Sequence, residues 1–192
     1  MTTPNIIKET CEGTVCIPLR DALFQRREIY CTGEITQESA SALILQLRYL
    51  QSEGPSEGIT MYVSSLGGEV SSGLAVYDAM QAVSCPVRTV CIGMAASIAA
   101  ILFCSGDQRE ILPHARVMIH DPMVADGISG SAQQIHNVAR DMMKTRETVG
   151  KILARHTGHS LEEVFDKTST DCYFSAGEAV AWGLADCVID RF

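Results

Sequence analysis

Residues 90–104, VCIGMAASIAAILFC, decide the fold class, because a strand pattern and a helix pattern meet inside this short stretch. Residues 87–92 are mostly apolar and rich in β-formers, as expected for a buried strand. We predict that a closely packed helix begins at the small residues Ala95 and Ala96. One serine, Ser97, lies inside the apolar run. A hydroxyl in such surroundings is expected to be hydrogen-bonded or used for chemistry.

Strand and helix patterns alternate on both sides of this stretch. This alternation is typical of an α/β fold with a parallel sheet and right-handed crossovers. Ser131 and Gln134 then form a capping box, which starts a long helix reaching to about residue 155. The predicted strands are 27–31, 59–63, 87–92, 116–119 and a short one near Val188, and the other predicted helices are 39–50, 71–83, 160–167 and 175–182.

Composition limits the classes of protein. The chain has 192 residues, of which 46% are hydrophobic, and its formal net charge of −8 disfavours nucleic acid and anionic membrane surfaces as partners. The eight cysteines form no CxxC pair and are expected to be mostly buried thiols in a reducing compartment. No signal peptide is visible, and the apolar run at 90–104 is shorter than the span of about 20 residues that a membrane helix needs. These features predict a cytoplasmic protein.

Three side chains and a glycine pair indicate nucleophilic acyl transfer. Ser97 lies at a strand-to-helix turn, His120 ends an apolar strand, and Asp171 stands in a polar turn. The amides of Ile98 and of the glycines at 67–68 would supply an oxyanion hole. Taken singly, each side chain also fits a structural role, as a bonded serine, a core histidine or a turn aspartate.

The four remaining histidines are weaker candidates for chemistry. His136 lies within the long helix, and His156 and His159 have no nearby metal-ligand partners, so we predict no metal site. The four are His114, His136, His156 and His159.

Several motifs stand out along the chain. Those around the candidate residues are GMAASIAA (93–100), RVMIHDP (116–122) and DCYFSA (171–176). The others are YVSSLGG (62–68), HTG (156–158) and EAVAWGL (178–184). Together they resemble the motifs of the ClpP family, the proteolytic subunits of ATP-dependent Clp proteases. The resemblance extends from about residue 17 to residue 189, and the motifs follow in the family's order and spacing.

The resemblance implies a crotonase-like α/β fold with stacked β-sheets, flanking helices and a long protruding handle helix at about 131–155. Residues 1–20 would form a mobile N-terminal arm or axial loop, and residues 21–192 a single peptidase domain. Two heptameric rings would stack into a tetradecamer that encloses a chamber. A separate AAA+ ATPase would feed it unfolded polypeptides, since this chain has no phosphate-binding loop motif and needs no cofactor for hydrolysis.

The resemblance also assigns roles to five residues of the site. Ser97 would be the nucleophile, His120 the base and Asp171 its orienting carboxylate. The amides of Gly68 and Ile98 would bind the oxyanion.

The sequence departs from the family pattern at several positions. Leu66 replaces a proline, and Asp121 replaces a glutamine after the histidine, where it is expected to favour protonated His120 or to compete for its ring N–H. Other departures are Thr60 and Ala82 in place of pocket aromatics and Ser169-Thr170 in place of a charged pair. They predict weak ATPase docking and weak double rings for this chain alone, with rescue by a paralogue.

Two alternative functions remain: a mainly structural or regulatory subunit of a mixed ring, and a crotonase-type acyl-CoA enzyme.

Overall fold

A computed structural model describes residues 4–11, 13–124, 127 and 129–192. Its strands are β1 Asn5–Thr10, β2 Gly13–Pro18, β3 Glu28–Ile35, β4 Ile59–Gly68, β5 Val87–Ala96, β6 Gln108–Ile111, β7 Arg116–Ile119, β8 Cys172–Ser175 and β9 Cys187–Val188. Its helices are α1 Leu19–Phe24, α2 Gln37–Glu53, α3 Val70–Ala82, α4 Ile98–Cys104, α5 Ala132–Thr157, α6 Leu161–Thr168 and α7 Ala176–Ala181.

The described strands outside the N-terminal hairpin form one seven-stranded sheet. Strands β3, β4, β5, β6 and β9 follow one another in parallel, which confirms the predicted α/β class. Strand β5 pairs with β6 along its first half and with β7 at its end, and β8 adds to β7 in the antiparallel sense. The end of β5 is therefore the point at which the sheet changes partners.

The core lies between this sheet and helices α2, α3 and α4. All seven residues of α4 are buried, as expected for a helix that is apolar on every side. Helix α2 instead buries one stripe, formed by Ala40, Leu43, Leu47 and Leu50 at helical spacing. Because each fully buried aliphatic side chain contributes about 1.5 to 3 kcal/mol, these helices hold the ends of the central strands firmly in place.

Three local predictions differ from the structure. Ala95 and Ala96 belong to β5 and not to the helix, which begins only at Ile98. The short strand β6 was not predicted, because its sequence QREI is polar at its start. The N-terminal segment, predicted as a mobile arm or axial loop over residues 1–20, contains the antiparallel hairpin of β1 and β2 and the start of helix α1. Whether this arm is mobile stays a prediction, and residues 1–3 and 12 lie outside the described part.

The long helix α5 has 26 residues and begins at the predicted capping box, where Ser131 and Gln134 each cap the other's backbone N–H. Its second half packs on the core through Val149 and Leu153, whereas Met143 is 60% exposed. Its role as a handle between rings stays a prediction. None of the described helices is both long enough and apolar enough to cross a membrane.

The cysteines divide into two groups. All eight are free, and four of them are buried: Cys31, Cys85, Cys91 and Cys104. Burial raises the pKa of the Cys31 and Cys91 thiols to about 11 and that of Cys104 to about 12. The other four, Cys11, Cys16, Cys172 and Cys187, are exposed or half-buried. The expectation of mostly buried thiols therefore holds for only half of the cysteines.

Candidate active site

Ser97 occupies the turn between β5 and α4 and has an unusual backbone conformation. Its φ of 56° and ψ of −128° lie in a region that side-chain-bearing residues rarely adopt. Its N–H donates to the Met118 carbonyl of β7 at 2.9 Å, and its hydroxyl does not cap the helix. The turn therefore leaves the Ser97 hydroxyl free to face the end of β7.

The sheet register brings His120 beside Ser97. Ala96 of β5 pairs with Met118 of β7, so the two parallel strands end at the same edge of the sheet. His120 Nε2 lies 2.8 Å from Ser97 Oγ. The His120 side chain is only 14% exposed, and its ring is consequently shielded from most of the solvent.

Asp171 reaches the same histidine from the other side. It immediately precedes β8, whose Cys172 pairs with Ile119 of β7, the residue before His120. Asp171 Oδ1 lies 3.2 Å from His120 Nδ1. With the ring proton on Nδ1, this nitrogen donates to the carboxylate and Nε2 is left to accept from the serine hydroxyl. The structure thus brings together the three side chains that the sequence singled out.

The glycine pair at 67–68 lies against the serine. A Cβ on Gly67 would come within 2.8 Å of Ser97 Cβ, and one on Gly68 would come within 2.3 Å of the Ile35 carbonyl oxygen. Both glycines have positive φ, 100° and 149°. Any larger residue would therefore push β4 away from Ser97 or from β3.

The predicted oxyanion donors differ in availability. The Gly67 N–H donates to Ser65 Oγ at 3.1 Å, so the inclusion of Gly67 among the donors is wrong. Ile98 is the first residue of α4, and an amide at this position has no acceptor within its own helix. Gly68 follows Gly67 at the end of β4. An oxyanion hole formed by the Gly68 and Ile98 amides remains a prediction.

Asp121 follows His120 in the chain, yet its carboxylate binds elsewhere. Oδ2 accepts from Arg146 Nε of α5 at 2.5 Å, and Oδ1 accepts from Thr168 Oγ1 of α6 at 2.6 Å. The Arg146 guanidinium also lies 3.8 Å from the centre of the Phe165 ring. The expectation that Asp121 competes for the His120 ring N–H is therefore wrong, since Asp171 takes that position.

Two of the other histidines have structural surroundings. His156 Nε2 lies 3.3 Å from the Tyr77 hydroxyl, and burial, followed by the charges of Arg155 and Arg109, lowers the pKa of His156. His159 stacks on the Trp182 ring at 4.5 Å. Within the described residues, no three metal-ligand side chains come together.

An open groove of about 520 Å³ begins beside the glycine pair. The residues that line the groove are Gly33, Glu34, Ser64, Ser65, Leu66, Gly67, Gly68 and Met94. Leu66, which is 76% exposed, and Met94 give the groove an apolar surface.

Two acidic residues near the groove were missed in the sequence. Glu34 lines the groove, and Glu69 directly follows Gly68. The signal in the sequence that points to Glu69 is its position next to the Gly-Gly pair.

The chain was also compared with protein-family models. A family model described as Clp protease matches residues 12–192. The match covers all strands of the seven-stranded sheet, all seven described helices and every candidate site residue.

Proposed function

Because the chain belongs to the Clp protease family and is therefore a peptidase, we propose that it is a serine endopeptidase with Ser97 as its nucleophile. The observation that carries the proposal is the continuous contact from Ser97 Oγ through the His120 ring to Asp171, at 2.8 and 3.2 Å. These distances are within the reach that proton transfer between nucleophile, base and orienting carboxylate requires.

Hydrolysis would proceed in two halves. Ser97 Oγ attacks the peptide carbonyl while His120 Nε2 takes its proton, and the ring then gives this proton to the departing amine. A water molecule next attacks the acyl-serine ester, again losing its proton to His120, and the acid product leaves. Asp171 stabilises the positively charged imidazole in both halves, and the Gly68 and Ile98 amides would donate to the carbonyl oxygen as it gains charge.

The wider assignment follows from family membership. We propose unfolded polypeptides as substrates, a ring-shaped chamber, a Clp-type AAA+ ATPase as partner and the cytoplasm as location. Hydrolysis itself would need no cofactor, because the nucleophile, base and oxyanion donors all belong to this chain.

A mixed ring is the second candidate arrangement, and particular side chains favour it. Thr60 and Ala82 offer no aromatic surface to an ATPase, and Ser169 and Thr170 are uncharged. In that arrangement a paralogue supplies the docking surface, and this chain is a mainly structural or regulatory subunit or supplies additional active sites. An acyl-CoA enzyme of the crotonase type would need the oxyanion donors but not the three side chains together, so the geometry favours the peptidase.

The test is the variant Ser97→Ala. We expect it to lower the hydrolysis of small fluorogenic peptides by about 10⁴-fold or more and to abolish labelling by a fluorophosphonate probe, because no acyl-serine can form. Ser41→Ala is the matched control, since Ser41 is an exposed serine of α2. If Ser97→Ala kept more than about a tenth of the activity, the assignment would be wrong.

A further inference from the structure

We propose that Glu34 and Glu69 make the site prefer polypeptides with Lys or Arg next to the bond that is cut, in the residue whose carbonyl is attacked or the one before it. The inference rests on the proposed serine peptidase activity and names a substrate class for it. Both residues adjoin the glycine pair that touches Ser97: Glu34 pairs with Gly67, and Glu69 directly follows Gly68.

The sheet register fixes the position of Glu34. It pairs with Gly67 across β3 and β4, so the two Cα atoms lie about 5 Å apart. Gly67 in turn abuts Ser97, and both Glu34 and Gly67 line the same groove. An acidic residue therefore stands two strands away from the nucleophile, with only β4 between β3 and β5.

Glu69 lies beside the same strand as Glu34, because its N–H donates to the Ile35 carbonyl of β3 at 2.8 Å. It follows Gly68 directly, and its carboxylate accepts hydrogen bonds from the Ser71 and Ser72 hydroxyls, each at 2.7 Å. The next residue, Gly73, packs against the Ile98 side chain. The Glu69 carboxylate is thus held at the start of α3, one residue after Gly68.

Both carboxylates are available to a substrate cation. Within the described part of the chain, no Lys, Arg or His forms an ion pair with either of them. Both residues are exposed. The hydrogen bonds from Ser71 and then Ser72 lower the pKa of Glu69, so its charge is present at neutral pH.

The groove also suits the rest of a basic side chain. Leu66 and Met94 give it an apolar surface, and the Glu34 carboxylate is among the groups that line it. Lys and Arg are amphipathic, with an apolar stem and a charged head, and they bind surfaces that offer both features. A negatively charged substrate side chain at the same place would be repelled.

The test compares fluorogenic tripeptides that carry Lys, its neutral isostere norleucine, or Glu in one of the two positions. For the wild type we expect kcat/KM to be about tenfold higher for Lys than for norleucine and lowest for Glu. Glu34→Gln and Glu69→Gln should each reduce the Lys-to-norleucine ratio about threefold, as expected for loss of one exposed charge contact. The double variant should bring the ratio close to one, and raising NaCl from about 0.05 to 0.5 M should have a similar effect in the wild type.

Glu57→Gln is the matched control. Glu57 precedes β4 at its opposite end, about 30 Å from the glycine pair, and this variant should keep the wild-type ratio. Thermal melts check that each variant is folded, and Glu69→Lys should reverse the preference toward Glu. If the wild type and all variants cleaved the peptides with the same Lys-to-norleucine ratio, the inference would be wrong and the peptidase assignment would stay intact. Absence of both peptide cleavage and fluorophosphonate labelling in the wild type would overturn the proposed function and the inference with it.

Discussion

Two aspartates flank His120, and their surroundings differ. Asp121 is its neighbour in the chain, but its side chain is 32% exposed and binds Arg146 and Thr168. Asp171 lies 51 residues after His120, is 58% exposed and binds the His120 ring. The carboxylate that contacts the ring is therefore the one more distant in the sequence and the more exposed of the two.

The difference shows how the sheet positions the site. His120 and Asp121 both follow the end of β7, and their side chains bond in different directions: the His120 ring contacts Ser97, whereas the Asp121 carboxylate contacts Arg146 of α5. Asp121 instead joins the end of β7 to helices α5 and α6. Asp171 reaches the ring because β8 pairs with β7 in the antiparallel sense. The Asp121 carboxylate therefore has a structural role, whereas the Asp171 carboxylate takes part in the proposed chemistry.

The largest expected effect is on activity, from Asp171→Asn. The asparagine is similar in shape but cannot stabilise the charged imidazole, and it favours the wrong ring tautomer. We expect kcat/KM for fluorogenic peptides to fall about 10³- to 10⁴-fold. Because the carboxylate is mostly exposed, the melting temperature should change by less than about 2 °C.

Asp121→Asn is the paired variant for this measurement. It should lower activity by less than about tenfold, because its carboxylate does not contact the ring. If both variants lost activity equally, the division between a supporting and a chemical carboxylate would be wrong.

The next effect is on stability, from Arg146→Ala. The change removes a charge-assisted hydrogen bond to Asp121 and the contact with Phe165, and it leaves a half-buried carboxylate without its cation. We expect a loss of about 2 kcal/mol, measured as a melting temperature about 4 to 8 °C lower. Arg140→Ala on the same helix is the control, since Arg140 is exposed and should change little.

Combining Arg146→Ala with Asp121→Asn sharpens the test. If the loss arises from the uncompensated carboxylate, the double variant should be more stable than the sum of the two single changes predicts. Strict additivity would show that the two side chains do not stabilise each other.

The smallest effect is expected from Thr168→Val. The substitution keeps the shape of this buried residue but removes the 2.6 Å hydrogen bond to Asp121. We expect a loss of about 1 kcal/mol, or about 2 to 4 °C, with peptide hydrolysis within threefold of the wild type. Thr168→Ser keeps the hydroxyl and should recover most of the stability. Equal melting temperatures for the Val and Ser variants would show that the hydrogen bond to Asp121 does not contribute to stability.

Much of the fold was predictable, because long apolar runs and capping signals determine it. The Ser131 capping box and the apolar pattern of Leu43 and Leu47 were sufficient for two helices. Ala95 and Ala96 were assigned to a helix because small buried residues suit both structures, and only pairing with β7 places them in a strand.

The candidate site was predictable as a set of residue types but not as a network. Ser97, His120 and Asp171 each end or begin an element, and that position can be seen in the sequence. The partners of Asp121 could not be found in this way, because Arg146 and Thr168 lie on helices whose packing depends on the whole chain. The bond that occupies the Gly67 amide depends similarly on the local path of β4.

The backbone of Ser97 has an evolutionary consequence. Glycine adopts a φ of 56° and a ψ of −128° without strain, whereas a serine there costs about 1 to 3 kcal/mol of conformational free energy. Folding and the proposed hydrolysis would therefore favour different residues at this one position. A lineage that kept the fold but did not need the Ser97 hydroxyl would gain stability by mutating the serine codon to one for glycine.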